Sequence, residues 1–400
     1  MNPSIPSTLQ RVWLFSLAFF SASLIAPLAS AQIAIQTSSA PTNAYLSGLN
    51  TGGAVSADGS TFVYSGSTLT SNFIWNTSTG ATAVRLDPSS SQEFITGLSS
   101  DGSTVVGFAR TGPGGPPAER LWTPYIWSNG TATALATPSA LNVINSTYAI
   151  SADGSQVSLR FENQYYLWTS GGGLGSPVTE KIQTFSSDGS TYVTNTTYHH
   201  NSASTALPSV SSLTPENGHN WNSLELRALT ANGQVAVGSV INDVSTYTDP
   251  DFRSQAVRWT EAGGYQLLGY LPGFRESDAL NISDDGSIIT GMYGPPVDDI
   301  ESYTMYPFIW DLTTGMRPLG DALAAAGLDV TGWEFQSGAI AADGTTIVGT
   351  GLLNGASTLF RVTGYTPVSA VPEPSTDAEL AGLAVFGLVF WRRRNARRND

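Results

Sequence analysis

Three histidines are the side chains in this sequence whose type and spacing most resemble a metal site. His199 and His200 are adjacent, and His219 follows nineteen residues later. Imidazole nitrogens bind transition metals, so such a grouping could hold one. No pattern of acidic residues accompanies these histidines, however, and the stretch around them is polar. We therefore interpret them as loop residues and predict no bound metal.

Two groups of carboxylates could perform acid-base chemistry. Asp249 lies two residues before Asp251, and Asp298, Asp299 and Glu301 form a second group. A glycosidase needs two carboxyl groups about 5–10 Å apart, and spacing along the chain does not fix that distance. No nucleophile elbow, zinc-binding helix or phosphate-binding loop is present. We interpret these acids as solvated loop charge and predict no catalytic residue.

The stretch ISDDGSIITG, residues 282–291, raises a different choice, between a cation-binding loop and a tight turn. A calcium loop needs alternating oxygen ligands and a distant glutamate. In the related stretches, the residue two positions before the turn Asp is Ser, Thr or Ala, and the residue directly before the Asp is usually Ala or Ser. Each loop therefore offers one carboxylate, which is too few to bind a cation. We predict a hairpin turn with Asp284 at the surface. We expect no cofactor, and calcium is the one ion that the pattern leaves possible.

The same stretch occurs seven times, which indicates a repeat architecture. The Asp or Asn before the glycine is spaced by 35 to 58 residues, and the seven positions are Asp58, Asp101, Asp153, Asp188, Asn232, Asp285 and Asp343. Because Asp-Gly between β-forming residues is a strong hairpin signal, in which both central residues need a positive φ, each repeat predicts two strands at this turn.

Each repeat continues with an aromatic strand, a glycine turn and a final strand. Five of these aromatic strands end in tryptophan, namely Trp75, Trp127, Trp168, Trp259 and Trp310, and a weaker one ends at Val362. The fourth repeat has no tryptophan here, and we expect Tyr198 in its place. We expect the tryptophans to pack between neighbouring repeats. Four antiparallel strands in about 40–50 residues predict an all-β fold, a seven-bladed β-propeller, with a β-solenoid as the competing interpretation.

The antiparallel order predicts where a binding surface would lie. Connections between the second and third strands lie at the same end as the connections between blades. This end receives the insertions 110–123, 239–254 and 292–305. It also receives the link 320–335, in which we predict a short helix. Long loops on a rigid scaffold are frequent binding sites. The candidate ligand-binding residues there are Trp122, Tyr247, Asp249, Asp251, Phe252, Tyr293, Asp298, Asp299 and Tyr303.

The two ends of the chain predict export. Arg11, an apolar stretch from Val12 to Leu28, and Ala29-Ser30-Ala31 form a signal peptide, cut so that the mature protein begins at Gln32. At the other end, an apolar run from Leu380 to Trp391 precedes the arginines Arg392, Arg393, Arg394, Arg397 and Arg398. That run of 12 residues would be about 18 Å long as a helix, shorter than the ~30 Å hydrocarbon core, so we expect a transient anchor.

This C-terminal pattern resembles the PEP-CTERM sorting signal of exported bacterial proteins, with Val371, Pro372, Glu373, Pro374 and Ser375 as its motif. The resemblance implies recognition by an exosortase and an association with extracellular polysaccharide or biofilm. It implies a location at the cell surface or in the extracellular matrix of a Gram-negative-type bacterium, after transient anchoring in the inner membrane. We accordingly divide the chain into a signal peptide (1–31), a repeat domain (32–370) and a sorting signal (371–400).

The repeats also resemble the bacterial extracellular HAF-repeat family. The best match is LLGYLPGFRESDALNISDDGSIITG, residues 267–291, although the His-Ala-Phe element itself is absent. This resemblance implies a propeller-like architecture and surface export, without an established chemistry.

Charge excludes one class of partner. Without the signal and everything after Pro374, the chain has 11 basic and 28 acidic residues, a net charge of about −17. Such a surface repels nucleic acid, whose binding requires clustered Lys and Arg. The chain has no cysteine, so no disulfide or thiolate site is possible. We expect a non-enzymatic exported protein that binds or organises polysaccharide or a surface partner. The alternatives are a glycan hydrolase or lyase that uses Asp251 or Asp298, and a structural protein-binding module.

Overall fold

The computed structural model describes residues 33–367 except 42–43, 47–53, 67–69, 111–121, 137–145, 162–163, 187–188, 202, 215–217, 245–250 and 295–303. The predicted signal peptide with its cleavage site, the PEP-CTERM motif, the apolar segment, Asp188 and five of the candidate ligand-binding residues lie outside this part of the chain. The described residues form an all-β fold of 28 strands with one short α-helix.

The strands pair into groups of four that follow the chain order. We number these groups 1 to 7. Groups 1 to 3 consist of β2 (Tyr45–Leu46), β3 (Thr61–Ser65), β4 (Asn72–Asn76) and β5 (Gly80–Val84); β6 (Glu93–Leu98), β7 (Thr104–Arg110), β8 (Trp122–Ser128) and β9 (Thr131–Ala134); and β10 (Ser146–Ile150), β11 (Gln156–Phe161), β12 (Gln164–Thr169) and β13 (Gly173–Val178).

Groups 4 to 6 continue the pattern. They consist of β14 (Thr184–Phe185), β15 (Thr191–Val193), β16 (Thr197–His200) and β17 (Ala203–Ala206); β18 (Trp221–Leu229), β19 (Val235–Asn242), β20 (Ser254–Thr260) and β21 (Gly264–Gly269); and β22 (Glu276–Ile282), β23 (Ile288–Gly294), β24 (Tyr306–Asp311) and β25 (Gly315–Pro318). A single parallel pairing of Ser254 with Glu276 joins groups 5 and 6 into one eight-stranded sheet. The helix α1 (Leu319–Ala325) follows β25 and buries Leu319, Ala322 and Leu323.

Group 7 takes its fourth strand from the other end of the chain. The strands β26 (Trp333–Ile340), β27 (Ile347–Leu353) and β28 (Ala356–Thr363) are antiparallel, and β1 (Ala34–Ser39) pairs with β28 along its whole length. Residues more than 300 positions apart are thereby hydrogen-bonded, from Ala34 opposite Thr363 to Ser39 opposite Thr358. No repeat pattern in the sequence predicts this pairing, because β1 lies outside the repeats.

The turns between first and second strands are tight, as predicted, but their geometry differs from the predicted one. In group 3, Gly154 donates its N–H to the carbonyl of Ser151 at 2.9 Å and has a φ of 71°. Asp153 does not have a positive φ, so only the glycine adopts the left-handed conformation. The predicted pair of positive φ angles occurs instead in the Asn129-Gly130 and Asn354-Gly355 turns.

The reason is a hydrogen-bonding pattern in the side chains of the turn. Ser151 Oγ donates to Asp153 Oδ1 at 2.7 Å and accepts from the N–H of Gln156 at 2.9 Å, while the N–H of Ser155 donates to Asp153 Oδ1 at 2.9 Å. The serine two residues before the aspartate therefore closes the loop. Equivalent bonds form at Ser56, Ser99 and Ser283.

These turns are also hydrogen-bonded to one another from group to group. The N–H of Ala57 donates to Ser100 O at 2.7 Å, and the N–H of Ser100 donates to Ala152 O at 2.7 Å. The N–H of Asp284 donates to Ala342 O at 2.9 Å, and the N–H of Asp343 donates to Ala57 O at 3.1 Å. The bond from Asp343 to Ala57 connects group 7 to group 1.

Apolar side chains between neighbouring groups form the core. Trp127 packs with Val63 and Val84 of group 1, and Trp310 packs with Val237 and Ala256 of group 5. Trp259 lies against Tyr198 of group 4 at a ring-centroid distance of 5.0 Å. The prediction that the repeat tryptophans pack between repeats is confirmed for these three residues.

Each group has two distinguishable ends. The turns from first to second strand and from third to fourth strand lie at one end, which we call the tight-turn end. The connections from second to third strand and between groups lie at the other, the insertion end. Thr363 ends β28 at the tight-turn end, where Tyr365 N–H donates to Thr345 O at 2.9 Å and Arg361 Nε to Gly59 O at 2.7 Å. Because Ala34 pairs with Thr363, the described chain begins and ends at this end.

Candidate functional site

The insertion end carries the long connections, as predicted. They join the second and third strands of three groups, between Arg110 and Trp122, Asn242 and Ser254, and Gly294 and Tyr306. The link between groups 6 and 7 contains the predicted short helix, α1.

Four of the predicted ligand-binding residues lie in the described part of this end. Trp122 begins β8 and is half-buried, with its ring 5.6 Å from that of Phe94 and 5.4 Å from that of Phe108. Phe252 is also half-buried, whereas Asp251 is exposed. Tyr247, Asp249, Asp298, Asp299 and Tyr303 are outside the described residues.

Tyr293 requires a correction, because it lies in the core. Its side chain is 8% exposed, and its ring packs 4.7 Å from Phe274 and 5.7 Å from Tyr306. Burial raises the pKa of the Tyr293 hydroxyl. We therefore remove it from the candidate surface and assign it a packing role.

His219 and two acids form a small polar cluster at the same end. His219 Nδ1 lies 3.0 Å from Asp243 Oδ1, and His219 Nε2 lies 4.0 Å from Asp251 Oδ2. The three side chains are between 35% and 55% exposed, so solvent screens their interaction. Among the described residues, no group of three or more His, Asp or Glu side chains is arranged to hold a metal ion.

Strand register identifies a residue that the sequence analysis missed. In five groups the repeat tryptophan pairs with the residue four positions after the turn Asp or Asn, as Trp127 does with Val105 and Trp168 with Val157. In group 4 that position is Tyr192, and its partner is His199. His199, rather than the expected Tyr198, therefore occupies the tryptophan position. Tyr198 is buried on the side of group 5.

A cavity of about 310 Å³ lies where the tryptophan would pack against the preceding group. Its lining combines the end of β13, the link between groups 3 and 4, and strands β15 and β16; the residues are Val178, Thr179, Glu180, Ile182, Tyr192, Thr194, Thr197 and His199. Among the described residues, Ala149, Ile182 and Phe185 form the buried apolar cluster at this junction, with Leu167 and Tyr192 packed against it. The link and the 194–196 connection place the cavity at the insertion end.

Glu180 is the charged group of this cavity. Thr194 and Thr196 each donate a hydroxyl hydrogen bond to one of its two carboxylate oxygens, the second at 2.6 Å. These bonds hold the pKa of the Glu180 carboxyl below its ordinary value, so the group is ionised at neutral pH. The two threonines fix the orientation of the carboxylate.

His199 and Tyr192 form the aromatic part of the cavity lining. Their rings are stacked with centroids 4.3 Å apart and an angle of 15° between their planes, and His199 Nδ1 lies 2.9 Å from Ser204 Oγ. Burial lowers the pKa of the His199 imidazole, although the Glu180 charge opposes this shift. The ring is therefore neutral at pH 7, and its Nε2 has no hydrogen-bond partner among the described residues.

A second charged cluster joins groups 5 and 6 at their first strands. Arg227 lies at a bulge in β18, and its Nη2 contacts Glu225 Oε2 at 2.6 Å and Asp278 Oδ2 at 3.3 Å. Arg227 is 17% exposed and Asp278 19% exposed. Burial raises the pKa of the Asp278 carboxyl, and the arginine charge opposes this shift. The arrangement is an ion-pair network between neighbouring groups.

Asp284 also requires a correction, because it is not a simple surface residue. Its Oδ1 accepts a hydrogen bond from Ala231 N–H at 3.2 Å, so the carboxylate supplies a link between groups 5 and 6 in the series of bonded turns. It lines a cavity of about 90 Å³ together with Ala57, Ser100, Ala152 and Ala342. Burial raises the pKa of Asp284.

Comparisons with known proteins locate one family feature. Residues 370–394 match the PEP-CTERM protein-sorting motif, which confirms the predicted sorting signal and indicates an exported protein that an exosortase processes after transient membrane anchoring. No helix in the described part of the chain is long and apolar enough to cross a membrane. The predicted anchor, 380–391, lies outside that part.

Two further comparisons complete the findings. No curated protein matches the chain. Among solved structures, the crystal structure of TolB from Acinetobacter baumannii is similar at 14% identity and a TM-score of 0.39, over 84% of this chain and 81% of that one.

Proposed function

We propose that this chain is an exported, non-enzymatic, seven-bladed β-propeller that binds extracellular polysaccharide at the cell surface. The seven four-stranded groups are its blades, and the pairing of β1 with β28 closes the ring. The series of bonded turns, which connects group 7 to group 1 through Asp343 and Ala57, supports this architecture. The HAF-repeat resemblance remains a prediction that agrees with it.

The observation that carries the proposal is the position of the chain ends. The described chain leaves group 7 at the tight-turn end, and the PEP-CTERM motif follows at residue 370. A protein held by this tail has its tight-turn end towards the membrane and its insertion end away from it. The long connections, the aromatic side chains near Trp122 and the cavity at Glu180 then face the extracellular polymer.

Binding of the repeat domain to the host's own matrix tests this function. Residues 32–370, purified without the sorting tail, should co-sediment with extracellular polysaccharide from the producing bacterium and lose binding after enzymatic removal of the polymer. The assay is run with and without calcium. Absence of co-sedimentation in both conditions would overturn the polysaccharide part of the proposal, and retention on protein-only matrix would favour the protein-binding alternative.

Accessibility in cells tests the orientation. A short epitope inserted in the 111–121 connection should be detected by antibody on spheroplasts of cells that lack exosortase, whereas the same epitope in the Thr77–Thr79 turn of the tight-turn end should be shielded. Equal accessibility of the two positions would contradict the proposed orientation.

The enzymatic alternative is a glycan hydrolase that uses two loop carboxylates. Glu225 and Asp278 lie on the strands β18 and β22 rather than on a connection, and Arg227 contacts both of them. An ion pair of this kind accounts for them structurally. Release of reducing ends from the host polysaccharide, lost in Asp251→Asn, would establish the enzymatic function instead.

A further inference from the structure

The fourth group departs from the repeat pattern at the position that binds the groups together elsewhere. In groups 2, 5 and 6 a tryptophan fills the space against the preceding group, and in group 4 the same register position holds His199. A histidine is smaller and more polar than tryptophan. The exchange therefore loses apolar packing between groups 3 and 4, which costs stability. Such a cost at this one group suggests that the position has another use.

The space at this position has the composition of a binding site for a hydroxylated ligand. Its volume of about 310 Å³ falls in the range of about 300–1,000 Å³ that is usual for small-molecule pockets. Its lining combines the apolar side chains of Val178 and Ile182 with the Tyr192–His199 stack. Polar groups converge on the space from Glu180, His199 and Thr197.

Charge selects among hydroxylated ligands. The cavity contains one carboxylate, Glu180, held in place by Thr194 and Thr196, and no lysine or arginine is among its lining residues. The mature body has a net charge of about −17. An acidic sugar would meet repulsion both locally and from the whole surface. Neutral hydroxyl groups, or an amine, can donate hydrogen bonds to Glu180, and a hydroxyl group can pair with the Nε2 of His199 in either tautomer of the ring.

We propose that the Glu180–Tyr192–His199 cavity binds a single neutral or amino-substituted sugar residue of a polysaccharide chain. Glu180 accepts hydrogen bonds from sugar hydroxyls or an ammonium group, and Tyr192 and His199 bound the ring of the sugar. This inference rests on the proposed function and names the site that performs it.

The chain offers a variant that closes the site without removing a fold element. His199→Trp restores the residue that the register position carries in five other groups, so it should fill the cavity while maintaining or raising the melting temperature. Glu180→Gln removes the charge and retains the shape. Glu261→Gln, an exposed glutamate in the β20–β21 turn at the tight-turn end, is the matched control.

Isothermal titration of the repeat domain with three oligosaccharides tests the inference. We use cellotetraose as the neutral probe, a chitosan tetramer as the amine-bearing probe and a galacturonic acid trimer as the acidic one. The wild type and Glu261→Gln should bind the first or second probe. His199→Trp should weaken that binding at least tenfold, and Glu180→Gln should weaken the amine-bearing probe most. The acidic probe should bind least.

The outcomes separate this inference from the proposed function. Unchanged binding in His199→Trp, or tightest binding of the acidic probe, would overturn the cavity assignment and its chemistry. If the wild type binds none of the probes but still co-sediments with host polysaccharide, the cavity assignment fails and the proposed function stands. If the wild type binds neither the probes nor the polysaccharide, both are overturned.

Discussion

At the scale of single residues, a small number of polar side chains determine contacts between groups. Asp284 was expected at the surface, yet its carboxylate accepts the Ala231 N–H of the neighbouring group. Arg227 contacts one acid of its own strand and one of the next group. His199 replaces a packing tryptophan. Each role depends on a partner far away in sequence, so type and spacing alone did not identify it.

Removal of Arg227 should destabilise the protein. Arg227→Met leaves Glu225 and Asp278 as unpaired, partly buried like charges, and loss of one partner from a buried ion pair costs roughly 3–5 kcal/mol. Denaturant unfolding would measure the change. The matched variant with Glu225→Gln and Asp278→Asn added should recover most of the stability, since no uncompensated charge remains. A loss of equal size in that triple variant would contradict the ion-pair explanation.

At the scale of elements, the unit of this fold is the turn between first and second strands. The Ser-x-Asp-Gly sequence was interpreted as a two-residue hairpin turn, but its serine extends the loop. The serine hydroxyl donates to the aspartate carboxylate and accepts from the N–H five residues later. In group 7, Ala341 replaces the serine, and Thr346 Oγ1 donates to Asp343 Oδ2 at 2.7 Å instead. The carboxylate is thus engaged in both versions.

A single turn serine should have a measurable effect on stability. Ser151 is fully buried, so Ser151→Ala leaves the Gln156 N–H without its acceptor and removes a bond to Asp153. A cost of about 1–3 kcal/mol is expected for an unsatisfied buried donor. Ser78→Ala, at an exposed turn position, is the control and should change the free energy of unfolding little.

The turn aspartates should make stability depend on acidity. Burial raises the pKa of Asp58, Asp101, Asp153 and Asp285, but hydrogen bonds from the turn outweigh this effect and hold each pKa below the ordinary value for an aspartate. A carboxyl with a lowered folded-state pKa contributes stability that is present above its unfolded pKa and is lost as the pH falls through the folded one.

We therefore expect the urea midpoint to be maintained from pH 7 to about pH 5 and to fall below about pH 4, where unfolded aspartates begin to bind protons. Asp101→Asn should be less stable at pH 7 and should lose less on acidification. Asp278 and Asp284, whose pKa values are raised, act in the opposite direction. A midpoint that rises towards pH 3 would show that these two dominate.

At the scale of the whole molecule, group 7 takes its fourth strand from residues that precede the first repeat. The strand β1 completes group 7, and Arg361 and Asp343 connect that group to the first turn of group 1. The two described ends of the chain therefore meet at one place.

Deletion of residues 33–39 should open the molecule at this seam. Without β1, the outer edge of β28 presents unpaired backbone groups, and edge strands of this kind favour aggregation. We expect lower thermal stability, proteolytic cleavage within β26–β28 before the other groups, and aggregation in size-exclusion chromatography. Deletion of residues 1–32 alone is the control. Equal protease resistance of the two proteins would contradict a closing role for β1.

The sequence by itself determined the repeat and its ends. Asp-Gly turns, alternating apolar strands and tryptophans are local patterns with a known preference for hairpins, so the all-β class, the four-stranded units, the insertion end and the sorting signal followed from them. Only the tertiary structure decided the β1–β28 pairing, the burial of Tyr293 and the cavity beside His199. These depend on which strands meet across hundreds of residues, and a contact between distant positions has no local sequence pattern to predict it.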